Sequence, residues 1–198
     1  TPISAGLTTG LVAAYGSEAV AGYSVASRIE MFGLMLVMAL ASTLAPFAGQ
    51  NFGAQKIDRL RRALNLSFYF VWGWGIAMSL LFWIAAQPLT ELFTTHAAAV
   101  QASVTYLHIV PITYGLLSTV MIVSSMANGI GRPIPALIMT GTRLLLIYLP
   151  LAWLLAQQWG LNGIYIATAV ANVVVGFGAW YWSSHACKQR AMTVTVPA

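Results

Sequence analysis

The sequence predicts an all-α, polytopic bundle of membrane-spanning helices. Three observations predict it. Of 198 residues, 59% are hydrophobic and only 7% are charged, against roughly a quarter in a soluble domain. Mean hydropathy is +0.79. The uncharged residues fall in long runs, from 31 to 55, 63 to 90, 92 to 131 and 144 to 187. A helix needs about 20 apolar residues to cross a bilayer core, so the last run, with its polar, glycine-bearing break, holds parts of two crossings. Thirteen charged side chains cannot cover a soluble domain, which excludes a soluble enzyme, a nucleic-acid-binding domain and a disordered chain. No alternation at strand spacing appears, which argues against a β-barrel.

The expected helices run from Thr1 to about Ala14, Val20 to Phe47, Leu64 to Ala86, Val104 to Met126, Ala136 to Ala156 and Ile164 to Ser183. The first is expected to be truncated, because the chain begins inside apolar sequence without Met or a signal-peptide layout. Residues 1–198 are thus expected to be one transmembrane domain from a longer protein. Turn chemistry separates the helices. Tyr15-Gly16-Ser17-Glu18 parts the first two. Gly129-Ile130-Gly131-Arg132-Pro133-Ile134-Pro135 is a strong stop before the fifth. Gln157-Gln158-Trp159-Gly160-Leu161-Asn162-Gly163 divides the last run.

Cations collect at alternate joints. Lys56, Arg59, Arg61, Arg62, Arg132, Lys188 and Arg190 fall on one side, and the other joints carry Glu18, Glu91 and His96. The positive-inside rule makes the first side cytoplasmic and places the C-terminus there. The net charge of +5 is then topological and implies no nucleic-acid partner. Beside the four clustered cations, Ile57, Leu60 and Leu64 share a helical face. They predict a short amphipathic helix at the interface.

Ionisable residues within spans default to functional hypotheses. Arg28 and Glu30 lie in the second helix at i and i+2, so they do not face each other. They either line a substrate or ion path or clamp neighbouring helices. Arg143 lies seven residues into the fifth helix, within reach of the cytoplasmic headgroups, and is expected to snorkel there. Pro46, Pro111 and Pro150 should bend their helices, which suits a carrier that rocks around a cavity. Gly6 with Gly10, and Gly49 with Gly53, fit the small-xxx-small packing pattern. The aromatic runs Phe68 to Trp74 and Trp180 to Trp182 are expected to form interfacial belts, with a stacking box for a cationic ligand as the alternative. His96, His108 and His185 have no metal spacing, and the lone Cys187 forms no disulfide framework. No nucleophile elbow or phosphate-cradling loop appears, so no enzyme, metal site or cofactor is expected.

Ala14-Tyr15-Gly16-Ser17-Glu18-Ala19-Val20-Ala21-Gly22-Tyr23 leads into Val25-Ala26-Ser27-Arg28-Ile29-Glu30, and the helix closes on Leu44-Ala45-Pro46-Phe47-Ala48-Gly49-Gln50-Asn51-Phe52-Gly53-Ala54. Together these resemble the seventh-to-eighth helix region of MATE (multidrug and toxic compound extrusion) transporters. Asn128-Gly129-Ile130-Gly131-Arg132-Pro133 resembles the end of that family's tenth helix. The resemblance implies the C-terminal six-helix lobe of a twelve-helix, multi-pass protein of the inner (plasma) membrane. Its partners would be small-molecule drugs, membrane lipid and the N-terminal lobe of the same chain. It implies a secondary antiporter that exports amphiphilic, often cationic drugs in exchange for Na+ or H+ by alternating access. Candidate cavity residues are Arg28, Glu30, Tyr114, Asn128 and Arg143.

Some members of that family carry coupling acids in the seventh and tenth helices. Here those positions fall near Thr1 and Leu117, neither of them acidic. The coupling ion is therefore expected to bind mainly in the N-terminal lobe. Two alternatives are a lipid-linked oligosaccharide flippase of related architecture, which Arg28 and Arg143 would suit, and a membrane subunit without transport.

Overall fold

A computed structural model describes the backbone of residues 2–194 and the side chains of residues 6–185. Thr1 and the side chains of Cys187, Lys188 and Arg190 lie outside the described residues. The described chain is helical: α1 (Pro2–Ala13), α2 (Ser17–Gly53), α3 (Ile57–Glu91), α4 (Ala97–Ile109), α5 (Tyr114–Gly129), α6 (Pro133–Gly141), α7 (Leu149–Trp159) and α8 (Leu161–Val194). Five spans are long and apolar enough to cross a membrane. A 3₁₀ turn, Pro111–Thr113, joins α4 to α5 into one of them, and a π-helical segment, Thr142–Tyr148, joins α6 to α7 into another. The α1 helix has 12 residues and is too short to cross alone.

Helices α2 and α5 end the same way. The Arg132 amide donates to Ala127 O and the Gly131 amide to Asn128 O, with Gly131 at φ +74°. The Lys56 amide likewise donates to Asn51 O and the Gln55 amide to Phe52 O, with Gln55 at φ +58°. Both are left-handed helix stops of the Schellman type. Glycine fills the special position in one, whereas Gln55 adopts it against its steric preference in the other.

Helices α2 and α3 extend beyond the apolar windows expected of them, because a helix need not stop where the hydrocarbon does. The row Ile57, Leu60, Leu64 is the start of α3 and not a separate interfacial helix. The aromatic run Phe68 to Trp74 therefore sits well inside α3. Its indoles work as clamps between helices: Trp72 Nε1 donates to Thr119 Oγ1 at 2.9 Å and Trp74 Nε1 to Gly33 O at 2.8 Å.

The span α4–α5 is the centre of the bundle and packs against α2, α3 and α8. Lipid-facing helices gain little from the hydrophobic effect, so close backbone approach holds them together. Gly75 on α3 meets Gly115 so closely that a Cβ would lie 2.5 Å from its amide nitrogen. Gly49 meets Gly129, and Gly22 meets α4 at Ala99 and Ala102. The expected glycine pairs contribute less: Gly6, Gly10 and Gly53 face open space, and Gly49 alone is a contact. Large apolar side chains point outward on α3 (Leu66, Ile76, Trp83, Ile84) and on the α6–α7 span (Leu137, Leu146, Trp153), as lipid contact requires.

Candidate functional site in the membrane interior

The two irregular segments decide where polar groups meet. Pro111 lacks an amide proton and breaks its span. The Ser79 hydroxyl sits between the carbonyls of Gly75 and Pro111, pinning the break against α3. In the other span the Leu149 amide donates to Leu144 O, five residues back, just ahead of Pro150. The wider turn brings residues five apart toward one face. Arg143 and Tyr148 consequently both face the bundle.

Glu30 on α2 is half-buried and accepts a hydrogen bond from the Tyr106 hydroxyl at 2.7 Å. Arg143 lies within its electrostatic reach. The Arg143 guanidinium donates to Asn172 Oδ1 at 3.0 Å, and Asn172 Nδ2 donates to Thr113 Oγ1 at 3.1 Å. Thr113 closes the chain on Val110 O at 2.8 Å. Two hydrogen-bonded chains, one between α2 and α4 and one from the π segment through α8 to the 3₁₀ turn, thus lie within electrostatic reach of each other and form one polar network. Next to it the Tyr148 hydroxyl donates to Thr8 Oγ1 at 2.8 Å, tying α1 to the π segment. Tyr106 is held edge-on by Tyr23 at 5.7 Å and by Tyr165 at 5.1 Å.

Beside Arg143 lies a cavity of about 50 Å³ lined by Thr8, Tyr148, Thr168 and Asn172. It holds water-sized guests, whereas a drug-sized ligand needs roughly 300 to 1,000 Å³. These groups can position water and share protons, but they cannot enclose a drug within this bundle. No cluster of metal-ligating side chains occurs among the described residues.

The candidate residues divide accordingly. Glu30 and Arg143 belong to the network. Arg143 points to Asn172 and does not snorkel to the headgroups, because the π segment rotates it inward. Tyr114 is buried against Phe82 at 6.2 Å. Its hydroxyl neighbours Glu30 without a well-formed hydrogen bond. Arg28 is exposed on the other side of α2, beside Met31 and Phe32. Asn128 is exposed at the end of α5 and stands apart from the network. Tyr106, Thr113, Tyr148 and Asn172 were not foreseen. Asn172, the most polar side chain deep in the last uncharged run, was the available signal.

The model of the MatE family matches residues 3–154. A FAD transporter of Shewanella oneidensis is 32% identical over 187 residues, covering 94% of this chain and 41% of that protein. A probable multidrug resistance protein NorM of Aromatoleum aromaticum is 29% identical over 178 residues, with 84% and 37% covered. The crystal structure of the Vibrio cholerae MATE transporter VcmN in the bent form superposes with a TM-score of 0.89 at 34% identity, covering 96% of this chain and 44% of that one. The chain spans about two fifths of the length of these relatives. With this fold and these matches, the chain belongs to the MATE family of multi-pass membrane transporters.

Proposed function

We propose that this chain is the C-terminal six-helix lobe of an inner-membrane antiporter that exports amphiphilic, often cationic small molecules in exchange for Na+ or H+ by alternating access. The observation that carries this reading is the network of Glu30, Tyr106, Arg143 and Asn172, because charged groups inside a span are retained for function or for a fixed partner. Both mid-membrane breaks, the places where a span can bend, contribute to it. The cation-rich end faces the cytoplasm, as the positive-inside rule directs. The drug cavity forms between this lobe and the other half, so the lobe alone does not transport.

The main coupling acid belongs to the other half, since the positions near Thr1 and Leu117 hold no carboxyl group. Glu30, hydrogen-bonded to Tyr106 and within electrostatic reach of Arg143, serves as a positioning residue. The test is the full-length protein in proteoliposomes with an imposed Na+ or H+ gradient. The gradient drives efflux of an organic cation, and Glu30→Gln slows it several-fold without changing which ion is exchanged. Efflux indifferent to both gradients would refute antiport. Loss of ion dependence in Glu30→Gln would make Glu30 itself the coupling acid.

A second reading is export of a phosphate-bearing substrate, a dinucleotide or a lipid-linked oligosaccharide. It is favoured by Arg28, an exposed guanidinium on a membrane-spanning helix beside the exposed Met31 and Phe32. A substrate panel decides between the two. Transport of FAD that is lost in Arg28→Gln, with organic cations excluded, would replace the first reading by the second.

A further inference from the structure

Where α3 begins, α5 ends and α8 passes, a half-open cavity of about 110 Å³ has an apolar lining that includes Leu60, Leu64, Val123, Met126, Ile130 and Trp182. Arg132 stands at its edge. A second hollow, of about 430 Å³, adjoins it and shares Leu64 and Ser183. Its lining is different in character: Arg61, Asn65, Tyr181 and His185. The two form one furrow with an apolar floor and cationic rims.

Apolar cavities stay dry, because water there finds no hydrogen-bond partners. Within a membrane the available apolar filler is a lipid tail. The surroundings select the headgroup. Five cations (Lys56, Arg59, Arg61, Arg62 and Arg132) lie at this end of the bundle, with Asp58 the carboxylate among them. Arginine forks suit phosphate oxygens, and the indoles of Trp180 and Trp182 suit the headgroup level.

We propose that this furrow binds an anionic phospholipid from the leaflet at the cation-rich end. One acyl chain lies on the apolar floor, and the phosphodiester is held by Arg61 and Arg132. The furrow lies apart from the polar network above and shares no lining residue with it.

The test is native mass spectrometry of the full-length protein, with palmitoyl-oleoyl phosphatidylglycerol, palmitoyl-oleoyl phosphatidylcholine and soluble glycerol phosphate as probes. Each cation near the surface favours an anionic lipid several-fold, so two should give roughly a tenfold to thirtyfold preference for phosphatidylglycerol. The doubly substituted Arg61→Gln, Arg132→Gln protein loses that preference and still retains either lipid weakly. The charge-conserving Arg61→Lys, Arg132→Lys protein keeps most of it and serves if the glutamine protein does not fold. Equal retention of both lipids by the unmodified protein would overturn the proposal. So would an undiminished preference in the glutamine protein, or glycerol phosphate competing as well as the lipid, since the tail would then contribute nothing.

Discussion

Replacing Tyr106 by Phe removes one hydroxyl, and with it the 2.7 Å hydrogen bond to Glu30. The ring keeps its edge-on contacts with Tyr23 and Tyr165, so the change isolates the bond. Interhelical hydrogen bonds between neutral groups in membranes average about 0.6 kcal/mol. A carboxylate acceptor roughly doubles a hydrogen bond. The Tyr106–Glu30 coupling is then about 1.2 kcal/mol, roughly a sevenfold change in an equilibrium constant. A double-mutant cycle reads it directly: Tyr106→Phe, Glu30→Met and both together, each in the full-length protein. Met has a similar reach and accepts only weakly. Reversible unfolding in mixed micelles, followed by tryptophan fluorescence, gives the four stabilities. Glu30→Met alone should cost more than the coupling, because it leaves Arg143 without its acidic neighbour. Additive single effects, with a coupling under about 0.3 kcal/mol, would show that Tyr106 and Glu30 do not act as a pair.

The same unfolding assay checks two backbone arguments. Gly75→Ala places a Cβ 2.5 Å from the amide nitrogen of Gly115, so α3 and α5 must separate. A loss of about 1–3 kcal/mol is expected, and the matched Gly10→Ala, which meets nothing within 4 Å, should lose none. Gln55→Gly relieves a left-handed residue at φ +58° and should raise stability by roughly 0.5–1 kcal/mol, since glycine takes that conformation freely.

The membrane fold was legible because the charged residues are few and placed at joints. Helix ends were less so. Hydropathy marks where a chain leaves lipid, whereas the end of α2 and the start of α3 are set by the stop at Asn51 to Lys56, several residues outside the apolar windows. The site was half legible. Glu30 and Arg143 stood out as charges in apolar runs, but their surroundings did not. Arg143 read as a snorkelling side chain under a 3.6-residue period, and a π turn that no simple pattern announces changed its direction. Tyr106 and Asn172 are uncharged, and among many tyrosines, serines and threonines nothing local marked them as partners. The indoles of Trp72 and Trp74 were misread for a related reason. An aromatic run looks interfacial only if the helix begins where the apolar window does.

The joints of this bundle are short. Three residues, 54–56, separate α2 from α3, three more, 130–132, separate α5 from α6, and Gly160 alone separates α7 from α8. Helix α2, with 37 residues running through Pro46, has a contour of about 55 Å, and α3 is nearly its equal. Rods joined by such tight knuckles cannot slide past one another, because a joint of three residues has no slack to take up a turn of helix. Motion is left to the lobe swinging as one block, to the five-residue joint 92–96 between α3 and α4, and to the places where the rods are already broken, at Pro111–Thr113 and Thr142–Tyr148. Asn172 is hydrogen-bonded to both. The bundle is thus a frame with two built-in creases and a single pin through them.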